Sequence, residues 1–215
     1  MRLLIKMAVR NVVRYKRRSI LTGLSISLGF AMLIFSIGIS EGSYHRIVDT
    51  AAKSGAGHVL IQPLEFDLLD PQSIPDPHAT LGVVNAIPGA RPMTRTQALA
   101  LATTAEGAAT LMVMGIDPAT EKEVSLFAEA LVEGEWLPDV PGRIPKALLG
   151  ADIARRLNVG LGDRVVLTAQ AQGEMSAELV RVHGVFSSGS EEIDAGMVLV
   201  HQQVVQALLK QPDAI

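Results

Sequence analysis

The chain has 215 residues, with 19 Lys+Arg against 22 Asp+Glu, no Cys and 48% hydrophobic residues. That length holds one domain of ordinary size plus an appendage. A net charge of −3 excludes a generally basic nucleic-acid binder, and zero Cys excludes disulfides, cysteine-ligated zinc and cysteine nucleophiles.

The small net charge hides a strong asymmetry. Residues 1–18 carry seven bases (Arg2, Lys6, Arg10, Arg14, Lys16, Arg17 and Arg18) and no acid, whereas residues 41–215 carry 12 bases and all 22 acids. Arg2, Lys6, Arg10, Arg14 and Arg18 recur every four residues. Leu3, Leu4, Met7, Ala8, Asn11, Val12 and Tyr15 fall mostly on the other side of a helical wheel. Residues 1–18 therefore read as an amphipathic helix in the cytoplasmic interface, drawn to anionic lipid.

Residues 19–40, SILTGLSISLGFAMLIFSIGIS, hold no charge. Twenty-two helical residues span about 33 Å, enough for a bilayer core. A buried soluble helix seldom runs so long without a charge. A cleaved signal peptide has a shorter apolar run, although Gly38-Ile39-Ser40 has the small-x-small form of a cleavage site. A retained transmembrane helix is the preferred reading. The basic flank places the N-terminus in the cytoplasm and residues 41–215 outside. Gly23, Ser27 and Ala31 repeat at four-residue intervals, and Ser25 and Gly29 form a second small pair. Such a stripe suits close packing against another membrane helix.

Beyond the span, Glu41 to Lys53 continues as helix, and Lys53-Ser-Gly-Ala-Gly57 ends it. His58 to Gln62 predicts a strand stopped by Pro63, and 63–78 a Pro-rich acidic loop. Ala79 to Ile87 predicts a short helix. Gln97 to Thr104 and Ala109 to Ile116 predict a hairpin across Glu106-Gly107. Ala119 to Leu131 reads as helical in pieces, and 133–145, with three prolines, as loop. Lys146 to Leu149 predicts a strand. Gly150 to Leu157 predicts a helix with Ile153, Ala154 and Leu157 inward, and Asn158 to Asp163 a glycine-bearing turn. Arg164–Ala169 and Glu178–Phe186 read as strands, Ser187–Ser190 as a loop, Met197–Val200 as a strand and His201–Lys210 as a final helix. Mixed strands and short helices predict an α+β domain.

The search for chemistry is negative. The phosphate-loop pattern does not occur, so the chain is expected not to bind and hydrolyse ATP by itself. Gly38-Ile39-Ser40-Glu41-Gly42 has the formal spacing of a nucleophile elbow but sits at the end of a membrane helix. His45, His58, His78, His183 and His201 lack ligand spacing, and His58 and His183 read as ordinary sheet residues. Glu191, Glu192 and Asp194 read as solvated loop carboxylates, and Trp136 as partly buried. No cofactor is expected on this chain.

Several segments together carry a resemblance. Ala8-Val-Arg10-Asn11 through Arg18-Ser19-Ile-Leu21-Thr22, with Gly42 after the span, resembles the start of the MacB/FtsX-like ABC transporter permeases. His58 to Gln62 is similar to the first strand of that family's extracytoplasmic core domain. Leu148-Leu149-Gly150, Ala154, Leu157, Val159, Gly162-Asp163 and Val165 resemble a further segment of it. Gly184-Val-Phe186, Gly189, Glu191 or Glu192, Asp194 and the helix His201–Leu209 resemble the lipoprotein-releasing (LolC/LolE-type) branch.

The resemblance implies a permease without a catalytic site. Its expected partners are a cytoplasmic ATPase carrying ATP and Mg, a second permease copy or paralogue, the lipid bilayer and a periplasmic lipoprotein carrier. It implies work done outside an inner membrane, such as lipoprotein extraction. Family members have three further spans, so this chain is expected to be an N-terminal part or the product of a truncated gene. Three alternatives remain open: MacB-type efflux, a division-type regulatory permease, and a single-pass anchored binding domain or enzyme.

Overall fold

The computed structural model describes residues 1–51, 57, 59–63, 73–171, 173–212 and 214. They fall into two compact units, Met1–Ala51 and Ala52–Ile215.

The first unit is two helices. α1 (Arg2–Arg14) ends where Tyr15 leaves helical geometry (φ −113°, ψ 51°), although its N–H still reaches the Asn11 carbonyl at 3.2 Å. The Arg14 guanidinium stands 5.9 Å from the Tyr15 ring centroid. α2 (Lys16–Ala51) is one uninterrupted helix of 36 residues. The break at Tyr15 gives Lys16, Arg17 and Arg18 to α2 and leaves Arg2, Lys6, Arg10 and Arg14 on α1. Lys16–Tyr44 is apolar enough to cross a membrane, and none of its most apolar window is buried within the protein. So much exposed apolar helix calls for lipid or for other helices. Polar side chains adapt to that setting: Ser25 Oγ donates to the Leu21 carbonyl (2.9 Å) and Thr22 Oγ1 to the Arg18 carbonyl (3.0 Å).

The second unit is sheet-rich. After α3 (Pro77–Asn85), capped by the Asp76 carboxylate on the Ala79 N–H at 2.9 Å, come β1 (Arg95–Thr103) and β2 (Ala108–Ile116). α4 (Pro118–Val124), α5 (Leu126–Glu129), β3 (Leu131–Gly134) and β4 (Lys146–Gly150) follow. The chain ends with α6 (Ala151–Arg156), β5 (Arg164–Ala171), β6 (Glu174–Phe186), α7 (Glu191–Gly196), β7 (Met197–His201) and α8 (Gln202–Leu209).

The strand order is β3-β6-β4-β7-β2-β1-β5, and β5 also pairs with β6. The ladders therefore close a ring, β6-β4-β7-β2-β1-β5-β6, with β3 added on β6. β2–β7 and β4–β6 are parallel; the other pairs are antiparallel. One strand serves both ends of the ring because β6 is 13 residues long: Glu174–Arg181 pairs with β5 and Arg181–Phe186 with β4.

Alternation along β1 puts Ala98, Ala100 and Ala102 on the side of α8, and their small size lets the helix approach. Gly115 serves the same end on β2, since a Cβ there would stand 2.9 Å from Gln202 Cα and from a Val205 methyl. α8 buries Val204, Val205, Leu208 and Leu209 in this cluster with Leu111, Val113, Leu167 and Val180. A second cluster joins Met114, Ile116, Phe127, Leu137, Leu148, Phe186, Met197 and Leu199. Its Phe127 and Phe186 rings meet edge to face with centroids 5.1 Å apart. The tail beyond α8 is tied back, because the buried Ala214 carbonyl accepts from Thr96 Oγ1 (2.8 Å), Gln202 Nε2 (3.2 Å) and Gln206 Nε2 (3.0 Å).

Four expectations change. The strand expected at His58–Gln62 does not form over the described part: Val59, Leu60, Ile61 and Gln62 are unpaired and exposed, and His58 lies outside the described residues. Residues 131–134, divided between the expected helix and loop, form β3, because β6 offers them an edge. The second strand of the last hairpin starts at Glu174, not Glu178, since its outer half continues the ladder with β5. Glu191, Glu192 and Asp194 lie on the short helix α7, and Asp194 is buried. The expected helix exit beyond Ala51 and most of the 63–78 loop lie outside the described residues.

Candidate functional site

Four resemblance-bearing residues of the second unit, Gly150, Gly184, Gly189 and Asp194, lie on or beside β4, β6 and α7. Gly150 ends β4 and caps α6. A Cβ on Gly150 would stand within 3.0 Å of the Asp194 carbonyl oxygen, carbonyl carbon and Cα, so α7 packs directly on the Gly150 backbone. The Asp194 carboxylate then organises the loop ahead of its own helix. Its Oδ2 accepts from Ser187 Oγ (2.9 Å), and its Oδ1 from the Ser188 N–H (2.8 Å) and Ser188 Oγ (2.7 Å). Gly189, exposed at φ +80°, turns that loop.

Gly162 and Asp163 build the turn before β5. Gly162 takes φ +89°, which costs a side-chain-bearing residue and not glycine. Its N–H donates to the Val182 carbonyl (2.8 Å), while the Asp163 carboxylate accepts from the Gly160 N–H (2.9 Å). Gly184 is a matter of space: a Cβ would meet Leu131 and Leu148 methyls at 2.9 Å and the Glu133 carbonyl at 3.0 Å. These residues thus form three joints: Gly150, Gly189 and Asp194 at the α7 loop, Gly162 and Asp163 at the β5 turn, and Gly184 where β6 meets β3 and β4. They place backbone; they do not converge on a pocket.

The remaining sequence-selected residues are in the first unit. Gly23, Ser25, Ser27, Gly29 and Ala31 are exposed on α2, and space around Gly23, Gly29 and Gly42 is open to 4 Å. The seven bases and Asn11 are exposed on α1 and at the start of α2.

Sequence reasoning missed two polar links. Arg95 and Glu121 form an ion pair with side chains 8% and 1% exposed, through Nη2 to Oε1 at 2.5 Å and Nε to Oε2 at 3.1 Å. They lie 26 residues apart, so no local spacing announced them. Beside them Trp136 Nε1 donates to the Pro118 carbonyl (3.0 Å), which holds α4 to the segment after β3.

The second link is Lys146 with His183. The Lys146 ammonium donates to His183 Nε2 at 3.2 Å, which requires a neutral ring. Burial, and then the Lys146 charge, hold the His183 pKa below its ordinary value, against the weaker pull of Glu135 at 3.9 Å. The unfolded ring titrates near about 6.5. A lowered folded value means that the unfolded chain binds the proton first as pH falls. His183 therefore subtracts stability below about pH 6.5, down through its lowered folded value, and nothing above. We expect the unfolding midpoint to drop more steeply from pH 7 to pH 5 in the parent than in His183→Gln. Parallel curves would refute this. A second histidine, His201, stands at the end of β7. Its Nε2–H donates to the Asp139 carbonyl (2.9 Å), and its buried Nδ1 is unpartnered among the described residues.

Residues 19–214 match the MacB-like periplasmic core domain. The lipoprotein-releasing system transmembrane protein LolC of Xylella fastidiosa strain Temecula1 is 29% identical over 195 residues, covering 87% of this chain and 45% of that protein. LolC of strain 9a5c gives the same identity and coverage. The chain thus spans less than half the length of these curated relatives. Among solved structures, the extracellular domain of the noncanonic ABC-type transporter YknZ from Gram-positive bacteria overlays with a TM-score of 0.49 at 15% identity, over 72% of this chain and 76% of that one. With a matched region running from the apolar helix to the clamped tail, the chain belongs to the MacB-like periplasmic core domain family and is similar to the N-terminal portion of LolC-type ABC transporter permeases.

Proposed function

We propose that this chain serves as the N-terminal part of a permease subunit that extracts lipoproteins from an inner membrane. The observation that carries the reading is its 29% identity to a lipoprotein-releasing protein across 87% of the chain. α2 is the first transmembrane helix. The bases Arg2, Lys6, Arg10, Arg14, Lys16, Arg17 and Arg18 hold the N-terminus at the cytoplasmic surface, and the sheet-rich unit stands outside. Gly23, Ser25, Ser27, Gly29 and Ala31 receive a helix of a second permease copy or paralogue. ATP and Mg belong to a separate cytoplasmic ATPase, and a periplasmic carrier takes the released lipoprotein.

The test uses the full-length permease, co-expressed with its ATPase, in spheroplasts supplied with carrier. ATP-dependent release of a labelled lipoprotein is the expected result, and Gly23→Leu is expected to reduce both recovery of the complex and release. ATP hydrolysis with export of a soluble compound, and no lipoprotein release, would move the protein to the efflux reading. Full recovery of the Gly23→Leu complex would remove the stripe from the account.

A further inference from the structure

Among the described residues, the sheet-rich unit leaves one face of β1, β5 and β6 uncovered. α8 packs against the other side of these strands, so residues of opposite parity point outward. Cross-strand partners define the open face: Thr103 opposite Val166, Leu101 opposite Thr168, Val166 opposite Leu179, Thr168 opposite Ala177 and Gln170 opposite Met175. Leu101 is 42% exposed, Val166 and Leu179 are each 37% exposed, and Met175 is 67% exposed. These side chains make an apolar strip along the hairpin.

The strip ends in an unexplained charge arrangement. Arg164 lies directly opposite Arg181, and Arg181 is also the register partner of Lys146. Three cations therefore stand in one row across β5, β6 and β4. Like charges directly opposite on a sheet cost stability. Arg164 and Arg181 are both exposed, and neither meets a carboxylate within ion-pair distance among the described residues. Lys146 spends a donor on a neutral imidazole. The row is conspicuous in a region, 41–215, that holds 22 acids against 12 bases. A destabilising feature with no compensation among the described residues points to an external anion.

The dimensions narrow the class of that anion. Neighbouring strands lie about 4.8 Å apart, so one phosphate reaches two facing guanidinium groups. From Arg164 to Gln170 the strand advances about 20 Å at about 3.3 Å per residue, and a lipid tail spans about 15 Å in one leaflet of a 30 Å core. We infer that this face binds one anionic phospholipid, with its phosphate between Arg164 and Arg181 and an acyl chain along Val166, Leu179, Leu101 and Met175. The inference concerns lipid at the sheet face and holds whichever cargo the permease moves.

The chain has no Cys, so Gln170→Cys on the same face takes a single environment-sensitive dye. The labelled whole chain, in a neutral maltoside detergent, is titrated with dioctanoyl phosphatidylglycerol below its micelle concentration. A saturable blue shift is expected, with little response to zwitterionic dioctanoyl phosphatidylcholine. In Arg164→Gln/Arg181→Gln the half-saturating concentration is expected to rise at least about tenfold, as losing one charge-assisted bond requires. Without lipid its thermal midpoint should equal or exceed the parent's, because the like-charge pair is gone. Leu179→Asn, at an exposed position, is expected to weaken the response through the tail. Equal responses to the two lipids, or unchanged titrations in both variants, would overturn the inference and leave the lipoprotein-release assay unaffected.

Discussion

Glu121→Ala is expected to cost about 3–5 kcal/mol, the range for removing one member of a buried ion pair. The Arg95 guanidinium, with a side chain only 8% exposed, would keep its charge and lose the carboxylate that meets it at 2.5 and 3.1 Å. The strain would fall on one joint, since Glu121 lies on α4 and Arg95 opens β1. The protein supplies its own reporter. Trp136 is the only Trp and donates to the Pro118 carbonyl at the start of α4. Urea unfolding of the whole chain in detergent, followed by Trp136 fluorescence, should show the loss as an earlier transition. Arg95→Met/Glu121→Leu, which removes both charges and keeps the volume, should recover most of it. A single variant within about 1 kcal/mol of the parent, which is a surface pair's worth, would show that this pair is not a buried link.

The second large effect is steric. Gly150→Ala adds one carbon where the Asp194 main chain leaves no room. Backbone cannot swing aside as the end of a side chain can, so α7 must separate from β4. Overpacking costs about 1–3 kcal/mol and more where backbone is met, so about 3 kcal/mol or more is expected here. At about 2–4 °C per kcal/mol for a domain of this size, the thermal midpoint should fall by at least about 6 °C. Two controls grade the effect. Gly184→Ala meets two movable leucine methyls and one carbonyl and should cost less. Gly162→Ala meets nothing within 4 Å but must hold φ +89°, for about 1 kcal/mol. Circular dichroism melts that ranked Gly162→Ala as the worst of the three would overturn the packing argument.

The Gly150 effect sits at a joint that carries the family resemblance. Residues that looked like candidate site positions in the sequence are the ones that let α7, β4, β5 and β6 meet. Asp194 shows the difference most clearly. Its place beside Glu191 and Glu192 suggested a solvated carboxylate, yet it is 5% exposed and holds two serines of the preceding loop. Sequence spacing records that such a residue stands there. It does not record that a helix folds the carboxylate back onto its own loop.

What the sequence determined by itself was local. Twenty-two uncharged residues behind seven bases fix an apolar helix whatever else folds, because the signal lies within one segment. The hairpin of β1 and β2 was legible because alternation and a turn at Glu106-Gly107 lie within 22 residues. α6 and α8 were legible from apolar spacing that buries Ile153, Ala154, Val204, Val205, Leu208 and Leu209.

Only the tertiary structure decided the rest. β7 is inserted between β4 and β2 although it is last in the chain. β3 is a strand because β6 lies beside it, and β6 reaches back to Glu174 because it must serve two partners. Val59 to Gln62 has strand-forming residues and, among the described residues, no strand to pair with. Arg95 and Glu121 meet only after the sheet has brought β1 beside α4. A strand edge and a buried carboxylate each depend on a distant neighbour, and the sequence near a residue carries no record of which neighbour long-range pairing will supply.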